Sequence, residues 1–428
     1  MRPAPASLVA GAALAGLGAM TMALLPGLPG ILAVGAQVTL ITFVLWPHAI
    51  LPVGIVGGTA ASGMLAVGRV GLIVAVHSGI LATGCLALLL RRAAGHGTAS
   101  RARTAADGPM AVLTAFVLAG AVYGLVQGNA GHRIAVAAYE FAVIPAYYFL
   151  ATRTLGEPRA LAKASHWYLA GTTVLAATEL TAPGRHGGLL STLALPPLLV
   201  AVARSRGWRR AGLVALTAVM GTDVVLAAYR AVWLAAGIAL VLMLVRCTGA
   251  VRGAVAAAMG IGAVLLPLTV AALPMLQQRA SLVGEEFEQS SGYRLPEAAI
   301  GLDVFTAHPF LGAGTGQVTP GVFVPDFGVT TVGPVYHVFY VMILANTGLV
   351  GLLLILRPLL RAVRTGLAAT DPQAIAFAAL TCGFMAAAGF AGPTDGHWEL
   401  GLLPALTLLT GRRAAQPARP HLSARNSP

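Results

Sequence analysis

Charge is what this chain has least of. Only 10% of its 428 residues are Asp, Glu, Lys or Arg, against about a quarter in an ordinary soluble domain. A water-soluble fold of this length is excluded on that ground alone. Lysine is nearly missing: Lys163 stands alone beside 26 arginines. Cysteine is scarce too. Cys85, Cys247 and Cys382 lie in or beside apolar runs with no CxxC or metal-ligand spacing. That excludes a disulfide framework and leaves small buried thiols as the reading. No GK[ST] triplet follows any glycine-rich run and no internal repeat is visible, so neither a Walker loop nor a solenoid is indicated.

What is present is hydrocarbon. Hydrophobic residues make up 57% of the chain, and the mean hydropathy is +0.82. Apolar runs of roughly 17–22 residues recur, each able to cross a hydrocarbon core of about 30 Å. Runs such as LLILRPLL lack the alternation of a membrane barrel strand, so the spans are helices, which satisfy their own backbone. The expected fold is all-α: a polytopic transmembrane bundle of about 12–14 spans within one membrane domain at 1–411, with a basic tail at 412–428 that reads as disordered. Apolar segments fall near 7–25, 30–46, 49–67, 70–90, 109–126, 134–152, 166–182, 189–203, 211–228, 231–245, 253–274, 338–356, 373–391 and 398–411. The first reads as an uncleaved span rather than a cleaved leader.

The formal net charge of +13 does not indicate nucleic acid, because the cations sit in short clusters between apolar runs. Threading the segments in order puts 21 basic residues on one side and six on the other. The rule that cytoplasmic loops carry the arginines then makes both termini cytoplasmic, in a multi-pass protein of the cell membrane.

One stretch interrupts the pattern. Residues 275–337 form a long polar segment on the extracytoplasmic side, holding Glu285, Glu286, Glu288, Glu297, Asp303 and Asp326, six of the fourteen carboxylates. Within it, Ala298, Ala299, Leu302 and Phe305 recur at helical spacing after Pro296. That predicts a short amphipathic helix with Pro296 in its first turn. The turn HPFLGAGTG follows, its glycines able to bring the backbone close to a ligand.

Four kinds of residue could carry chemistry. Arg230 opens a span with no cytoplasmic cluster to explain it, and a guanidinium there can grip phosphate oxygens through paired hydrogen bonds; an interfacial anchor beside Trp233 or a partner for Asp223 is the plainer role. Arg294 precedes the amphipathic helix and can face the same anion, or pair with the glutamates around it. His337 stands where the outer loop becomes a span, and an imidazole suits a general base near neutral pH; a simple interfacial histidine between Tyr336 and Tyr340 is the alternative. Glu140, Glu179, Asp223 and His77 map to the outer parts of their helices, and Asp395, His397 and Glu399 to the last outer loop. Ionisable groups at one depth need partners or a wet hollow. Asp223, Glu140 and His308 are therefore secondary candidates.

The order of these elements resembles the O-antigen ligase and polymerase superfamily. An arginine opens a span in YRAVWLA, an outer loop carries an arginine ahead of HPFLGAGTG, and a histidine begins HVFYVMILANTGLVGLLL. The resemblance covers roughly 210–360. This chain has Tyr229, Glu297 with Ala298, and Val338 where the family often has Ser or Thr, Trp, and Asn. The resemblance implies a fold like the C-type membrane glycosyltransferases. It also implies transfer of a glycan from a polyprenyl diphosphate carrier to a hydroxyl of a glycan or lipid acceptor outside the cytoplasm, with no metal and no cofactor. Arg230 and Arg294 would hold the diphosphate and His337 would be the base, which predicts inversion at the anomeric carbon. Membrane lipids are the remaining partners. A secondary transporter or flippase for an anionic or lipid-linked glycan stays as the alternative, although transporters favour midplane charges and repeated halves.

Overall fold

The computed structural model describes residues 20, 28–65, 70–95, 103–181, 188–227, 229–272, 274–324, 328–332, 336–390 and 397–415. Most of the expected first span at 7–25, the tail beyond 415 and Asp395 lie outside these residues. So do the side chains of Glu179, Glu285, Glu286 and Glu288.

The protein is helical nearly throughout, as its apolar runs require. The helices are α1 (Leu28–Leu45), α2 (Ile50–Leu65), α3 (Val70–Ala93), α4 (Asp107–Val126), α5 (Gly131–Thr154), α6 (Pro158–Thr181) and α7 (Gly188–Arg204), then α8 (Gly207–Leu226), α9 (Arg230–Arg246), α10 (Gly249–Ala272), α11 (Pro274–Ala307), α12 (Phe339–Leu367), α13 (Pro372–Ala387) and α14 (Glu399–Ala415). Among the described residues α4, α5 and α12 are each long and apolar enough to cross a membrane unaided. Shorter apolar helices lie at Gly188–Arg204, Gly249–Val264 and Pro372–Ala387. The runs expected near 30–46 and 49–67 form a bent pair, turned through 120° between Gly35–Leu45 and Pro47–Ala60. Pro47 begins the 3-10 turn at that bend, where a missing N–H costs least.

Two compact units make up the chain: Met1–Arg101 with Arg153–Gly171, and Ala102–Thr152 with Thr172–Pro428. In the first unit α2 lies against α3. The Gly54 and Gly58 positions admit Ile80 and the buried His77 at distances that a side chain on either glycine would close. Arg91, near the end of α3, donates to the Val44 carbonyl.

In the second unit, α9, α12, α13 and α14 form the packed centre. The α9–α13 contact is made of small residues: a Cβ on Gly383 would lie 2.3 Å from the Ala235 carbonyl oxygen. Backbones approach this closely where dispersion rather than hydrophobicity holds helices together. One end of this group is tied by cations. Arg246 Nε and Nη2, at the end of α9, donate to the Leu367 carbonyl, at the end of α12, at 3.0 and 2.6 Å. Arg204 Nη2, at the end of α7, meets Asp371 Oδ1 at 2.7 Å, and the same carboxylate caps α13 through the Gln373 N–H. So α9 and α12 run in the same direction and α13 returns between them.

Two features of the polar stretch differ from expectation. Instead of a short helix starting at Pro296, α11 runs unbroken for 34 residues with Pro296 inside it. A proline there removes one backbone bond, which the close packing of α11 on the start of α12 offsets: Gly301 sits so near Val341 and Tyr336 that its Cβ would lie 2.3 and 2.8 Å from their side chains. After α11, strands β1 (Thr319–Val324) and β2 (Gly328–Val332) pair antiparallel, with an irregularity between Thr319 and Val322. Val and Thr in both segments, with Phe323 in β1, favour a pleated ribbon.

Candidate active site

Proceeding from the cation-tied end along α9, α12 and α13 leads to the other end of the bundle, where the sequence candidates cluster. Arg230 is the first residue of α9. The turn that presents it is pinned by Trp233, whose indole Nε1 donates to the Val224 carbonyl of α8 at 2.7 Å. Arg230 is half-buried while Ala231 and Val232 beside it are buried. Asp223 is 1% exposed and does not reach for water. Its Oδ2 accepts from Ser191 Oγ of α7 at 2.5 Å, which ties α7 to α8.

His337 lies just ahead of α12, and one carboxylate of α11 holds it twice. Glu297 Oε2 accepts the His337 backbone N–H at 2.8 Å, and the same oxygen is 2.9 Å from Nδ1. Oε1 is 3.1 Å from Nδ1. The imidazole side chain is 45% exposed and the carboxylate 13%, so the anchor is the more shielded of the two. A carboxylate on Nδ1 fixes that nitrogen as the N–H and leaves the lone pair on Nε2.

Arg294 stands one helical turn before Glu297, and residues three apart share a helix face. Its guanidinium does not pair with Glu297. Nη1 donates to the Phe390 carbonyl just past the end of α13 at 3.0 Å, and Nε is buried with no hydrogen-bond partner. The Phe339 N–H donates to Ala388 O at 3.2 Å, so the start of α12, the end of α13 and the face of α11 meet at one place. The structure thus joins Arg294, Glu297 and His337 through shared elements and puts Arg230 at the same end of the bundle.

The glycine-rich turn does something other than the sequence reading gave it. Gly312, Gly314 and Gly316 all have positive φ, at 68°, 95° and 87°, and they bring the turn against the protein's own backbone. Helix α12 is broken at Gly348, φ 63° and ψ −165°. Such a break orphans amides and carbonyls, and inside a membrane no water repairs them. The turn supplies the partners. Leu349 N–H donates to Pro309 O at 2.9 Å and Val350 N–H to Phe310 O at 3.2 Å. The Ala345 carbonyl accepts from Ala313 N–H at 2.9 Å. Asn346 Oδ1 accepts from Gly316 N–H at 3.3 Å, and Asn129 Nδ2 donates to Thr315 O at 3.1 Å. His308 itself is exposed, and its carbonyl accepts the Gly312 N–H at 3.0 Å, closing the turn. Its contribution on the page is therefore main-chain.

Glu140 is fully buried in α5, one turn before Ile144, against which Gly401 of α14 packs. It is not brought to the Arg294–His337 group by any contact described. His77 belongs to the first compact unit.

The residue that sequence reasoning passed over is Glu297. Its signal was present as the Arg294-x-x-Glu297 spacing, legible only if the helix extends upstream of Pro296. His397 and Glu399, which the sequence places in the last outer loop, are paired with each other. Nδ1 of His397 is 2.6 Å from Glu399 Oε1, and the ring packs edge-on against Phe339 with centroids 4.4 Å apart.

Residues 213–356 match the family model described as O-antigen ligase. That segment contains Arg230, Arg294, Glu297 and His337, and it supports the resemblance to the O-antigen ligase and polymerase superfamily and an O-antigen-ligase-like glycan transfer in the membrane. No curated protein matches the chain significantly.

Proposed function

We propose that this chain is a membrane glycosyltransferase that moves a glycan from a polyprenyl diphosphate carrier to an acceptor hydroxyl on the extracytoplasmic face of the cell membrane, as a polysaccharide polymerase or a ligase. The observation that carries the reading is the double grip of Glu297 on His337, one turn from Arg294, within the family-matched segment.

The chemistry runs as follows. The acceptor oxygen attacks the anomeric carbon. Nε2 of His337 takes the hydroxyl proton, and Glu297 on Nδ1 offsets the imidazolium charge that forms. The bond from the anomeric carbon to the phosphate oxygen breaks, and its electron pair leaves with the lipid diphosphate. Arg294, with Nε unspent, and Arg230 at the same end stabilise that departing charge, the task for which fixed cations in a water-poor site are most effective. Attack opposite the leaving group inverts the anomeric carbon. The carrier bond is already activated, so neither a cofactor nor a metal enters this scheme. With the arginine-rich loops cytoplasmic, the tied ends of α7, α9 and α12 face the cytoplasm, as do both termini.

The test is glycan transfer by protein in native membranes, comparing wild type with His337→Ala. The variant should keep its helical circular dichroism and gel-filtration profile while transfer falls by roughly 100-fold or more, the scale of a lost general base. Wild-type rates in the variant would refute the reading.

A further inference from the structure

We infer that the elbow between α7 and α8, with Arg206, Trp208, Arg209 and Arg210, is a docking surface for anionic phospholipid headgroups of the cytoplasmic leaflet. The inference shares its membrane orientation with the transferase reading and concerns the end of the bundle away from the transfer site.

Only Ser205 and Arg206 separate the end of α7 from the start of α8, and every residue from Arg206 to Gly212 is exposed. Trp208 is 89% exposed, more than any other large apolar side chain among the described residues. Such an indole gains nothing in water. It suits the headgroup layer, where the apolar ring and the N–H both find partners. The arginines around it are unspent. Other cations at this end have protein partners: Arg204 has Asp371, and Arg246 has the Leu367 carbonyl. Among the described residues Arg206, Arg209 and Arg210 make no ion pair and no side-chain hydrogen bond. Their placement also works against the helix. Arg209 and Arg210 lie in the first turn of α8, at the positive end of its dipole, where a cation destabilises, and Arg206 at the N-cap gives no side-chain cap. Arg357, Arg361 and Arg364 of α12 are also exposed, but they approach the end of their helix, with Arg364 in its last turn, which favours a cation. Three cations with no acidic partner at the wrong end of a helix, with an indole among them, are accounted for by an anion from outside the chain. A lipid phosphate supplies that charge, and the glycerol and upper acyl region supplies a surface for Trp208, which a free phosphate does not.

Lipid binding to the full chain in mild detergent is titrated by native mass spectrometry, with phosphatidylglycerol and phosphatidylcholine as probes. Three variants are compared with wild type: Arg206→Gln with Arg209→Gln and Arg210→Gln, Trp208→Ala alone, and Arg357→Gln with Arg361→Gln and Arg364→Gln. Wild type should hold phosphatidylglycerol more tightly than phosphatidylcholine. The elbow triple variant should weaken phosphatidylglycerol at least about tenfold, since each arginine near an anionic headgroup layer contributes about fivefold before screening. Its binding of phosphatidylcholine should be unchanged. Trp208→Ala should weaken both lipids, and the α12 triple variant should lose far less phosphatidylglycerol than the elbow variant. Wild-type retention in the elbow variant, or an equal loss in the α12 variant, overturns the inference. Displacement of the lipid by inorganic phosphate assigns the surface to a soluble anion and overturns it too. In intact cells Trp208→Cys should add no labelling by a membrane-impermeant maleimide above the wild-type level; labelling from outside would remove the cytoplasmic leaflet. Glycan transfer is assayed separately, so a wild type that transfers nothing refutes the transferase reading while lipid retention still decides the elbow.

Discussion

Gly312 and Gly348 face each other across two segments of chain so closely that a Cβ on Gly348 would lie 2.7 Å from the Gly312 amide nitrogen. Both have positive φ, 68° and 63°. The same Cβ would lie 2.3 Å from the Phe310 carbonyl oxygen. The glycine-rich turn and the break in α12 are thus two halves of one joint, each supplying the backbone partners the other lacks.

Substitution at this joint should be costly out of proportion to its size. Gly348→Ala puts a side chain in a backbone region, φ 63° and ψ −165°, that is essentially open to glycine alone, a strain of about 1–3 kcal/mol, and adds a main-chain collision. A drop of several degrees in the thermal midpoint in detergent is expected. Gly221→Ala is the control, since nothing lies within 4 Å of its Cβ position and alanine is the better helix former; that variant should melt at or above wild type. Equal midpoints for Gly348→Ala and wild type would remove the joint from the account of stability.

Glu297→Gln should act on turnover rather than on binding. The amide can still sit against His337, but it no longer carries the charge that stabilises an imidazolium. A fall in kcat of at least about tenfold is expected, with the KM for the acceptor near wild type. A change in KM alone would make Glu297 a substrate contact instead of a positioning residue.

Arg230→Lys and Arg294→Lys keep the charge and lose the planar fork. Each should lower kcat/KM for the lipid-linked donor, with Arg294→Lys also surrendering its bond to Phe390 O. Full activity in both variants would dismiss the diphosphate clamp.

At the other end of the bundle the expectation reverses. Asp371→Ala removes the α13 cap and the ion pair to Arg204, whose side chain is 55% exposed. Loss of the cap costs about 0.5–2 kcal/mol, and an exposed pair adds little. Transfer activity per folded molecule should be unchanged, a comparison made by normalising rates to the protein that elutes as a single species.

The helical class, Arg230 at the opening of α9 and His337 at the threshold of α12 were all legible in the sequence, because long apolar runs permit little else and because polar residues at their edges stand out. The long α11 was not. Pro296 is an ordinary helix-starting signal, and only the packing of Gly301 against Val341 and Tyr336 reveals why the helix continues through it. With α11 cut short, Arg294 falls in a loop and its shared face with Glu297 disappears. The purpose of HPFLGAGTG was hidden for a different reason. Its glycines announce a close approach but not to what, and the answer lies in the ANTG of α12, whose own break is invisible until both segments are seen together. The His397–Glu399 pair read as loop residues, since nothing in the spacing says that the ring turns inward onto Phe339.

The joint at Gly348 also sets an angular phase. The rigid stretch of α12 from Phe339 to Thr347 connects two fixed points, the bonds at Ala345 and Asn346 and the carboxylate of Glu297. Each residue of an α-helix advances the chain by about 100° around its axis. One residue added to or taken from that stretch would rotate His337 away from Glu297 while every apolar run kept its length, so the spacing between the histidine and its downstream glycine is a timing constraint that hydropathy alone does not record.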